Sequence, residues 1–542
     1  MQVNEYRGPK HPKANAPHPL LRLVPSVKRP RFILFLLLLV STPLGATAKT
    51  NFTKCGARVK ELAGKNTLPF EDIYAGPVKG PLGQGKNTEY QALLITFGAC
   101  EKHCGSTPDF YSWQKASDTI TTWVLPLASL VLQAPFWNND FKKNILVLFR
   151  WVGSPIASMM YIFWNMKVTR KCAILVDMSV QINDRPGPES SFAKLRDSLY
   201  LLSVINQYEL CPQLEEHRME EILRTALFDG RPKIQEAREG VTTSIRRERR
   251  RGAVQVLASL AWFLVALAIS IHKAFGDLGE NSTAHNLALG LLVCWLPVLV
   301  AATIVDRNPM DAGYVRDKLH ALVLATMEEP EIHRVFGGAK SNFFGKFAGQ
   351  GRVRWHSGAA YSILRTLETM PNIGRGWLSR TENVNRLTAS TYSPLMRFDR
   401  SQGWQMAAAF TMVFSCSMGA FIVSYFTPTV GLGCRSGGYM IFGLNASGCL
   451  LLELAAWAVL HSRTKRRVVG WFLCFWEFIN SCLLVCIIIA QTFGIYNNCY
   501  CKSSMLGGAG GYMDFESVQY YKSYNVEISW FLGTLITCVF SG

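Results

Sequence analysis

The sequence predicts an all-α fold, a polytopic transmembrane helix bundle of about 7–8 spans that carries a small disulfide-bonded lumenal ectodomain. From residue 253 onward the chain is a series of apolar runs about 20 residues long. The loops between these runs are alternately rich and poor in Lys and Arg, as in proteins with several spans. The formal net charge of +19 lies mostly in loops, where basic residues orient spans and contact lipid, so we expect no nucleic-acid partner.

The N-terminus has the pattern of a targeting signal. The basic stretch Lys28-Arg29-Pro30-Arg31 precedes an apolar core from Phe32 to Val40, and the small residues Ala46-Thr47-Ala48 follow. We predict a signal peptide over residues 1–48, cleaved after Ala48, with retention as a short anchor as the alternative. In both cases residue 49 onward enters the secretory lumen.

Residues 49–116 are rich in Gly, Pro and polar side chains and are predicted to form the cysteine-containing lumenal or extracellular ectodomain. Sequons at Asn51 and Asn281 fall on the side predicted to be lumenal, so we expect a glycoprotein.

The distribution of basic residues predicts which loops face the cytosol. The candidate spans are residues 117–136, 144–165, 253–271, 287–305, 404–426, 440–461, 470–493 and 528–542. Lys plus Arg number 16 in residues 166–252, 14 in 306–403 and four in 462–469, against one in 273–286, one in 427–439 and two in 494–527. The rich segments are therefore predicted to be cytosolic and the poor ones lumenal, with a two-span hairpin over 253–305 and a C-terminal membrane bundle over 404–542.

The 117–165 region does not fit this scheme as two full crossings, because they would return the chain to the lumen at residue 166. Arg150 and Pro155 interrupt the second run, so we predict a span followed by a re-entrant or interfacial helix. This gives seven crossings, although the last run is short for about 30 Å of hydrocarbon and is expected to be an incomplete or truncated pass.

Six cysteines fall in segments predicted to be lumenal, where disulfides form. They are Cys55, Cys100, Cys104, Cys434, Cys499 and Cys501. An even number permits complete pairing, with fifteen connectivities that the sequence does not separate. A metal site at Cys100 and Cys104 or at Cys499 and Cys501 is disfavoured because no second ligand pair has zinc-finger spacing.

The cytosolic segments are predicted to contain helices after Ser190 and Ser191 and from Leu214 to Leu227, packed as a hairpin, and a helix around Lys318 to Met327. A run of arginines lies directly before the predicted span 253–271. Each basic residue near anionic headgroups contributes about 1 kcal/mol to membrane binding. The arginines are Arg246, Arg247, Arg249, Arg250 and Arg251. We interpret this run as a topology anchor on anionic lipid, with a regulated lipid-binding switch as the alternative.

No catalytic signature stands out, and we predict neither an enzyme nor a cofactor nor a metal site. Residues 80–87 have the spacing of a phosphate-binding loop, but Asn87 stands where a hydroxyl should bind magnesium, and no strand precedes them.

Glu453 and Glu477 are the strongest candidates for a functional site, because an acid in hydrocarbon costs a few kcal/mol unless it is protonated, paired or hydrated. Helical rise places both roughly 11 Å below the cytosolic face, on adjacent spans joined by a tight basic turn. Two carboxyls at one depth can share a proton or hold a cation, with Arg150 as a counter-ion. The alternative is that each acid is protonated and contributes only to packing.

Residues 121–127, 133–136 and 150–158, preceded by Cys100 and Cys104, resemble uncharacterised multi-pass membrane proteins of filamentous ascomycete fungi. The resemblance covers mainly residues 95–180. It implies residence in a membrane and a fungal setting, and it assigns no residue a role.

Two functions follow as hypotheses for this protein of the secretory pathway or plasma membrane. The first is transport of protons or small cations through the Glu453 and Glu477 hairpin. The second is a membrane receptor or scaffold, with a binding ectodomain outside and partner-binding segments inside. The two long cytosolic segments favour the second hypothesis and the intramembrane acids favour the first, which we prefer.

Overall fold

The computed structural model describes residues 51–74, 93–133, 141–187, 189–210, 216–247, 253–276, 281–306, 312–327, 343–347, 358–368, 374–379, 387, 400–460, 463–503, 511–515 and 526–541. About 81% of these residues are helical, and the strands form two small two-stranded sheets. The predicted signal peptide and the phosphate-loop-like segment at 80–87 lie outside the described residues, as do Arg249, Arg250 and Arg251.

The elements are named in chain order. The first half comprises α1 Phe52–Gly64, β1 Leu94–Thr96, α2 Phe97–Cys104, α3 Trp113–Thr119, α4 Leu125–Val131, α5 Phe141–Gly153, α6 Pro155–Met178, α7 Ser191–Ile205, β2 Tyr208–Leu210, α8 Glu216–Phe228 and α9 Pro232–Arg247. The second half comprises α10 Ala253–Gly276, α11 Asn281–Leu292, α12 Trp295–Asp306, α13 Ala312–Met327, β3 Phe344–Phe347, α14 Gly358–Leu367, α15 Arg400–Phe426, α16 Cys434–Val459, α17 Arg463–Phe493, α18 Cys499–Lys502, β4 Tyr512–Asp514 and α19 Val526–Ser541. Short 3₁₀ turns lie at Phe70–Asp72 and Trp377–Ser379, and a π-helical turn, Ile120–Val124, joins α3 to α4.

Five helical segments are long and apolar enough to cross a membrane, which confirms a helical membrane protein. They are Val254–Gly276, Asn281–Ala302, Gly403–Phe426, Cys434–Ala456 and Val468–Phe493. α5 and α6 pass the same test only as a pair, bent by 100° at their junction. The predicted first span, 117–136, does not pass it over its described part, 117–133. α19 is a shorter apolar helix of 16 residues.

Small residues allow the membrane helices to approach closely at Gly419 and Gly443. A Cβ on Gly419 would lie 2.5 Å from the carbonyl oxygen of Gly533, so α15 and α19 touch along their backbones. A Cβ on Gly443 would lie 2.8 Å from the Cβ of Ser417, which brings α16 equally close to α15. The short α19 is thus packed into the bundle.

A small domain caps one end of the bundle. Its core contains Phe52, Val59 and Ile95 together with Met513 and two disulfides. β1 pairs antiparallel with β4, and Ile95 lies opposite Met513. This disulfide-bonded domain therefore combines residues of the 49–116 segment with residues that follow α17, whereas the sequence analysis confined the ectodomain to 49–116.

The described parts of the two segments predicted to be cytosolic, 166–252 and 306–403, form a single helical domain. α7, α8 and α9 share one apolar core with α13, α14 and the C-terminal half of α6. β2 pairs with β3, so that Tyr208 lies opposite Phe347. The helices predicted after Ser190 and near Leu214 are present, but they belong to this larger domain and do not form an isolated hairpin.

A buried ion pair lies inside the helical domain. Arg224 Nη2 lies 2.8 Å from Glu220 Oε1, and both side chains are at most 2% exposed. Ser362 donates to the other oxygen of Glu220 at 2.8 Å, and Arg224 donates to Thr366 at 3.1 Å. Since Ser362 and Thr366 lie on α14, this network joins the two segments that the sequence analysis treated separately.

Candidate functional site

The candidate site surrounds the break between α5 and α6. α5 ends at Gly153 and α6 begins at Pro155, which has no backbone N–H and suits the first position of a helix. Ser154 between them leaves helical geometry, with φ −128° and ψ 64°. A broken helix exposes carbonyl groups that need partners, because lipid supplies none.

Side chains of α17 supply these partners. Asn480 Nδ2 donates to the carbonyl of Gly153 at 2.9 Å, and Ser481 donates to the carbonyl of Phe149 at 2.7 Å. The backbone N–H of Ser154 donates to the carbonyl of Arg150 at 3.0 Å. The C-terminal end of α5 is therefore hydrogen-bonded to side chains of α17.

Gly153 makes this contact sterically possible. A Cβ at this position would lie 1.9 Å from the carbonyl oxygen of Glu477 and 2.6 Å from Ser481 Oγ. A glycine is required here, because any side chain would push α5 away from α17.

Glu477 shares a helical face with Asn480 and Ser481, three and four residues later, and faces the same break. Its Oε2 lies 3.7 Å from Arg150 Nε at the end of α5. The Glu477 side chain is 7% exposed, whereas the Arg150 side chain is 29% exposed. The predicted counter-ion, Arg150, therefore lies next to the predicted acid Glu477. Its side chain extends from the buried cluster to the protein surface.

Glu453 approaches from α16. Cys449, one turn before it on the same face, interacts with the Ser154 side chain at the break. As whole residues, Glu453 and Glu477 are both 5% exposed. Glu453 interacts electrostatically with both Glu477 and Arg150. The structure thus brings together the three side chains that the sequence analysis proposed, from α5, α16 and α17.

The cluster contains polar atoms that lack hydrogen bonds within the described part of the chain. They are Arg150 Nε, Glu453 Oε1, Glu477 Oε2 and Asn480 Oδ1. Arg150 Nε and Glu477 Oε2 have only each other, at 3.7 Å, and Glu453 Oε1 and Asn480 Oδ1 have no hydrogen-bond partner among the described residues. Buried polar atoms of this kind are costly, which makes the cluster a candidate site. Three of the four are oxygens, which favour a proton or a cation.

Gly153, Ser154, Ser481 and Cys449 also belong to this site, although they were not predicted from the sequence. The tripeptide Gly153-Ser154-Pro155 inside an apolar run is a helix-breaking signal that points to the first two. Ser481 and Cys449 can be assigned to the site only when it is known which faces of α17 and α16 point toward the break.

The six cysteines predicted to form disulfides do so in three pairs. The bonds are Cys55–Cys104, Cys100–Cys499 and Cys434–Cys501. One of the fifteen connectivities is thereby selected, and it joins the 49–116 segment to two of the loops predicted to be lumenal, 427–439 and 494–527.

The remaining predicted site residues are separate from the acid cluster. Asn51 is exposed and its side-chain oxygen caps α1, while Asn281 Nδ2 donates to the carbonyl of Pro428 at 2.6 Å. Arg246 is paired with Asp197 at 2.6 Å, so its charge is already balanced inside the helical domain, whereas Arg247 is exposed. Glycosylation and lipid contact stay predictions.

No protein-family model, curated protein or solved structure matches this chain. The resemblance to fungal membrane proteins therefore stays a prediction, and function has to be argued from the geometry above.

Proposed function

We propose that this protein transports protons or small monovalent cations, and that Glu453, Glu477 and Arg150 form the coupling site. The charge balance of the cluster supports this proposal. Two ionised carboxylates beside one guanidinium carry a net charge of −1, which one proton or one monovalent cation would neutralise. Burial makes that neutralisation strongly favourable, because an unpaired charge is costly in a low-dielectric environment.

The broken helix supports the same function. Transporters commonly place their sites where a discontinuous helix interrupts the membrane bundle, because free carbonyl groups and a helix end can then face the ion. Here the break at Ser154 lies against both acidic helices. A packing role for the two acids would not require an interruption of α5 and α6 beside them.

The proposed topology places the disulfide-bonded domain in the lumen or outside the cell and the helical domain in the cytosol. Disulfides form on the oxidising side of a membrane, and basic loops stay on the cytosolic side. The five long spans, the bent α5–α6 pair and α19 would together make the seven crossings that the charge pattern demands. In this orientation Glu477 lies nearer the cytosolic end of α17 than its lumenal end.

The test is flux in proteoliposomes that contain the purified full-length protein. A proton-sensitive dye and a potassium- or sodium-sensitive dye inside the vesicles would report transport under an imposed pH or potential gradient. We expect flux through the native protein and none through a Glu453→Gln, Glu477→Gln double variant, since Gln keeps the size and polarity of Glu without its charge.

Glu527→Gln is the matched control, because it makes the same chemical change at an exposed acid in the first turn of α19. This variant should transport as the native protein does. Flux that persists in the folded double variant, or that is absent from the native protein under every gradient, contradicts the proposal.

A receptor or scaffold is the second candidate, and the two folded domains outside the bundle favour it. Both have cores of their own, and one is cross-linked by disulfides. This function predicts no flux and no effect of the double variant on partner binding, so the same proteins distinguish the two candidates.

A further inference from the structure

A second buried polar cluster lies at the other end of the bundle, where α16 begins. Arg435 stands in the first turn of α16 and is 6% exposed. The disulfide Cys434–Cys501 fixes the preceding residue to α18, with a Cα–Cα distance of 4.9 Å. The guanidinium of Arg435 is therefore held in place beneath the disulfide-bonded domain.

The partners of Arg435 are neutral. Its Nε donates to Gln491 Oε1 at 3.0 Å, and its Nη2 donates to Asn497 Oδ1 at 3.1 Å. The Tyr496 ring lies 5.3 Å from the guanidinium carbon. Among the described residues no carboxylate lies within ion-pair distance of Arg435. The positive end of the α16 dipole adds to this buried charge rather than balancing it.

The groups around Arg435 present hydrogen-bond donors. Since Arg435 has only N–H groups, it must face the oxygen of Gln491, and the Gln491 NH₂ group points away from it. That Nε2 atom has no partner within the described residues, and Gln491 is 1% exposed. The hydroxyl of Tyr439, one turn after Arg435 on the same face, is likewise unpartnered in the described part of the chain and fully buried.

Lys502 adds a second cation to the cluster. It follows Cys501, the disulfide partner of Cys434, and its ammonium lies 4.8 Å from the Phe52 ring. Burial, together with repulsion from Arg435, lowers the pKa of Lys502 to about 8. Asp109 is the acid that acts against this shift, while Lys115 reinforces it. Positive charge is therefore in excess around Arg435 and Lys502.

We propose that Arg435, Gln491 and Tyr439 bind a small monovalent anion, with Lys502 as the neighbouring positive charge. An anion such as chloride would balance the guanidinium and accept hydrogen bonds from the side chains that lack acceptors. The site is separate from the Glu453 and Glu477 cluster, and it does not depend on the proposed transport of cations. An anion bound at this site would lie at the junction between the membrane bundle and the disulfide-bonded domain.

The test measures the apparent Tm of the purified full-length protein in detergent while sodium chloride replaces sodium gluconate at constant ionic strength and pH 7. A ligand that binds only the folded state raises Tm in a concentration-dependent manner. We expect the Tm of the native protein to rise and saturate with chloride, and an Arg58→Gln control at an exposed position of the same domain to respond equally.

Two variants assign the effect to this site. Arg435→Gln should lose the response to chloride. Because Arg435 is buried, a second variant covers the case in which this one does not fold. Gln491→Glu keeps Arg435 and supplies a carboxylate beside it, so this variant should fold, show a raised Tm in gluconate and no longer respond to chloride. Equal Tm values of the native protein in both salts, or an undiminished chloride response in Gln491→Glu, would overturn the proposal.

Discussion

Asn480 on α17 donates its side-chain amide to the main-chain carbonyl of Gly153, with 2.9 Å between Nδ2 and O. This bond closes the end of a helix that is interrupted inside the bundle, and it does so one turn from Glu477. The break and the acid are thus parts of one structural unit. A change that separates α5 from α17 should therefore affect stability and the acid cluster together.

Gly153→Ala tests this unit directly. The new Cβ would lie 1.9 Å from the carbonyl oxygen of Glu477, so α5 has to move. Overpacking of this kind costs about 1–3 kcal/mol, and loss of the Asn480 hydrogen bond adds to the cost. We expect a lower apparent Tm in detergent and, under the proposed function, a loss of flux.

Gly240→Ala is the control for this substitution. Gly240 lies within α9, and nothing is near the position of its added Cβ. Alanine favours a helix over glycine by roughly 0.5–1 kcal/mol, so this variant should be equal to or more stable than the native protein. If the two variants have the same Tm, the close contact at Gly153 is not as tight as the structure indicates.

Much of the architecture could be predicted from the sequence, because lipid imposes length and polarity on every crossing. The targeting signal and the charge alternation are independent, and they assign Cys55 and Cys499, respectively, to the same side. The convergence of Glu453 and Glu477 also followed from helical rise alone. The role of Ser154 could not be predicted. A helix break becomes interpretable only when the neighbouring helix that bonds its free carbonyl groups, here α17, is known.

The sequence could not reveal that residues 166–252 and 306–403 share a core. Two membrane spans separate these segments, and Ser362 shows no pattern that connects it with Glu220. The cluster around Arg435 was missed for a similar reason. In the sequence, Arg435 is a single arginine in a loop poor in basic residues, and it looks like a minor exception to the charge rule. Only the structure shows that it is buried and that it has no carboxylate partner among the described residues.

The disulfide connectivity gives a second prediction. Peptide mapping by mass spectrometry without reduction should recover the pairs Cys55–Cys104, Cys100–Cys499 and Cys434–Cys501. Alkylation under denaturing conditions before digestion should label the free Cys486 and leave these six cysteines unlabelled. A peptide with Cys100 joined to Cys104 would contradict the structure, which bonds Cys100 to Cys499 and Cys104 to Cys55.

The buried pair in the helical domain gives a third prediction. Glu220→Gln leaves the Arg224 guanidinium buried without a counter-ion, and breaking such a pair costs about 3–5 kcal/mol. The Tm should fall clearly. Glu61→Gln breaks an exposed pair with Lys65 at the same helical spacing, and its effect should stay within about 1 kcal/mol. Similar losses in both variants would mean that the Glu220 pair is solvated.

The pH dependence of stability at Lys502 gives a fourth prediction. The pKa of Lys502 is about 8 in the folded protein, against an ordinary value of 10.5. Between these values the unfolded chain binds the proton more tightly, so stability rises with pH across this window, and below pH 8 the full cost of the buried ammonium is present. Lys502→Met removes this term. In chloride-free buffer the variant should therefore have a higher Tm than the native protein at pH 7, and the gap should narrow by pH 10. Taking the difference between the two proteins removes the contribution of other groups that titrate in the same range. A gap that does not change with pH would show that Lys502 keeps its ordinary pKa, and would contradict its burial beside Arg435.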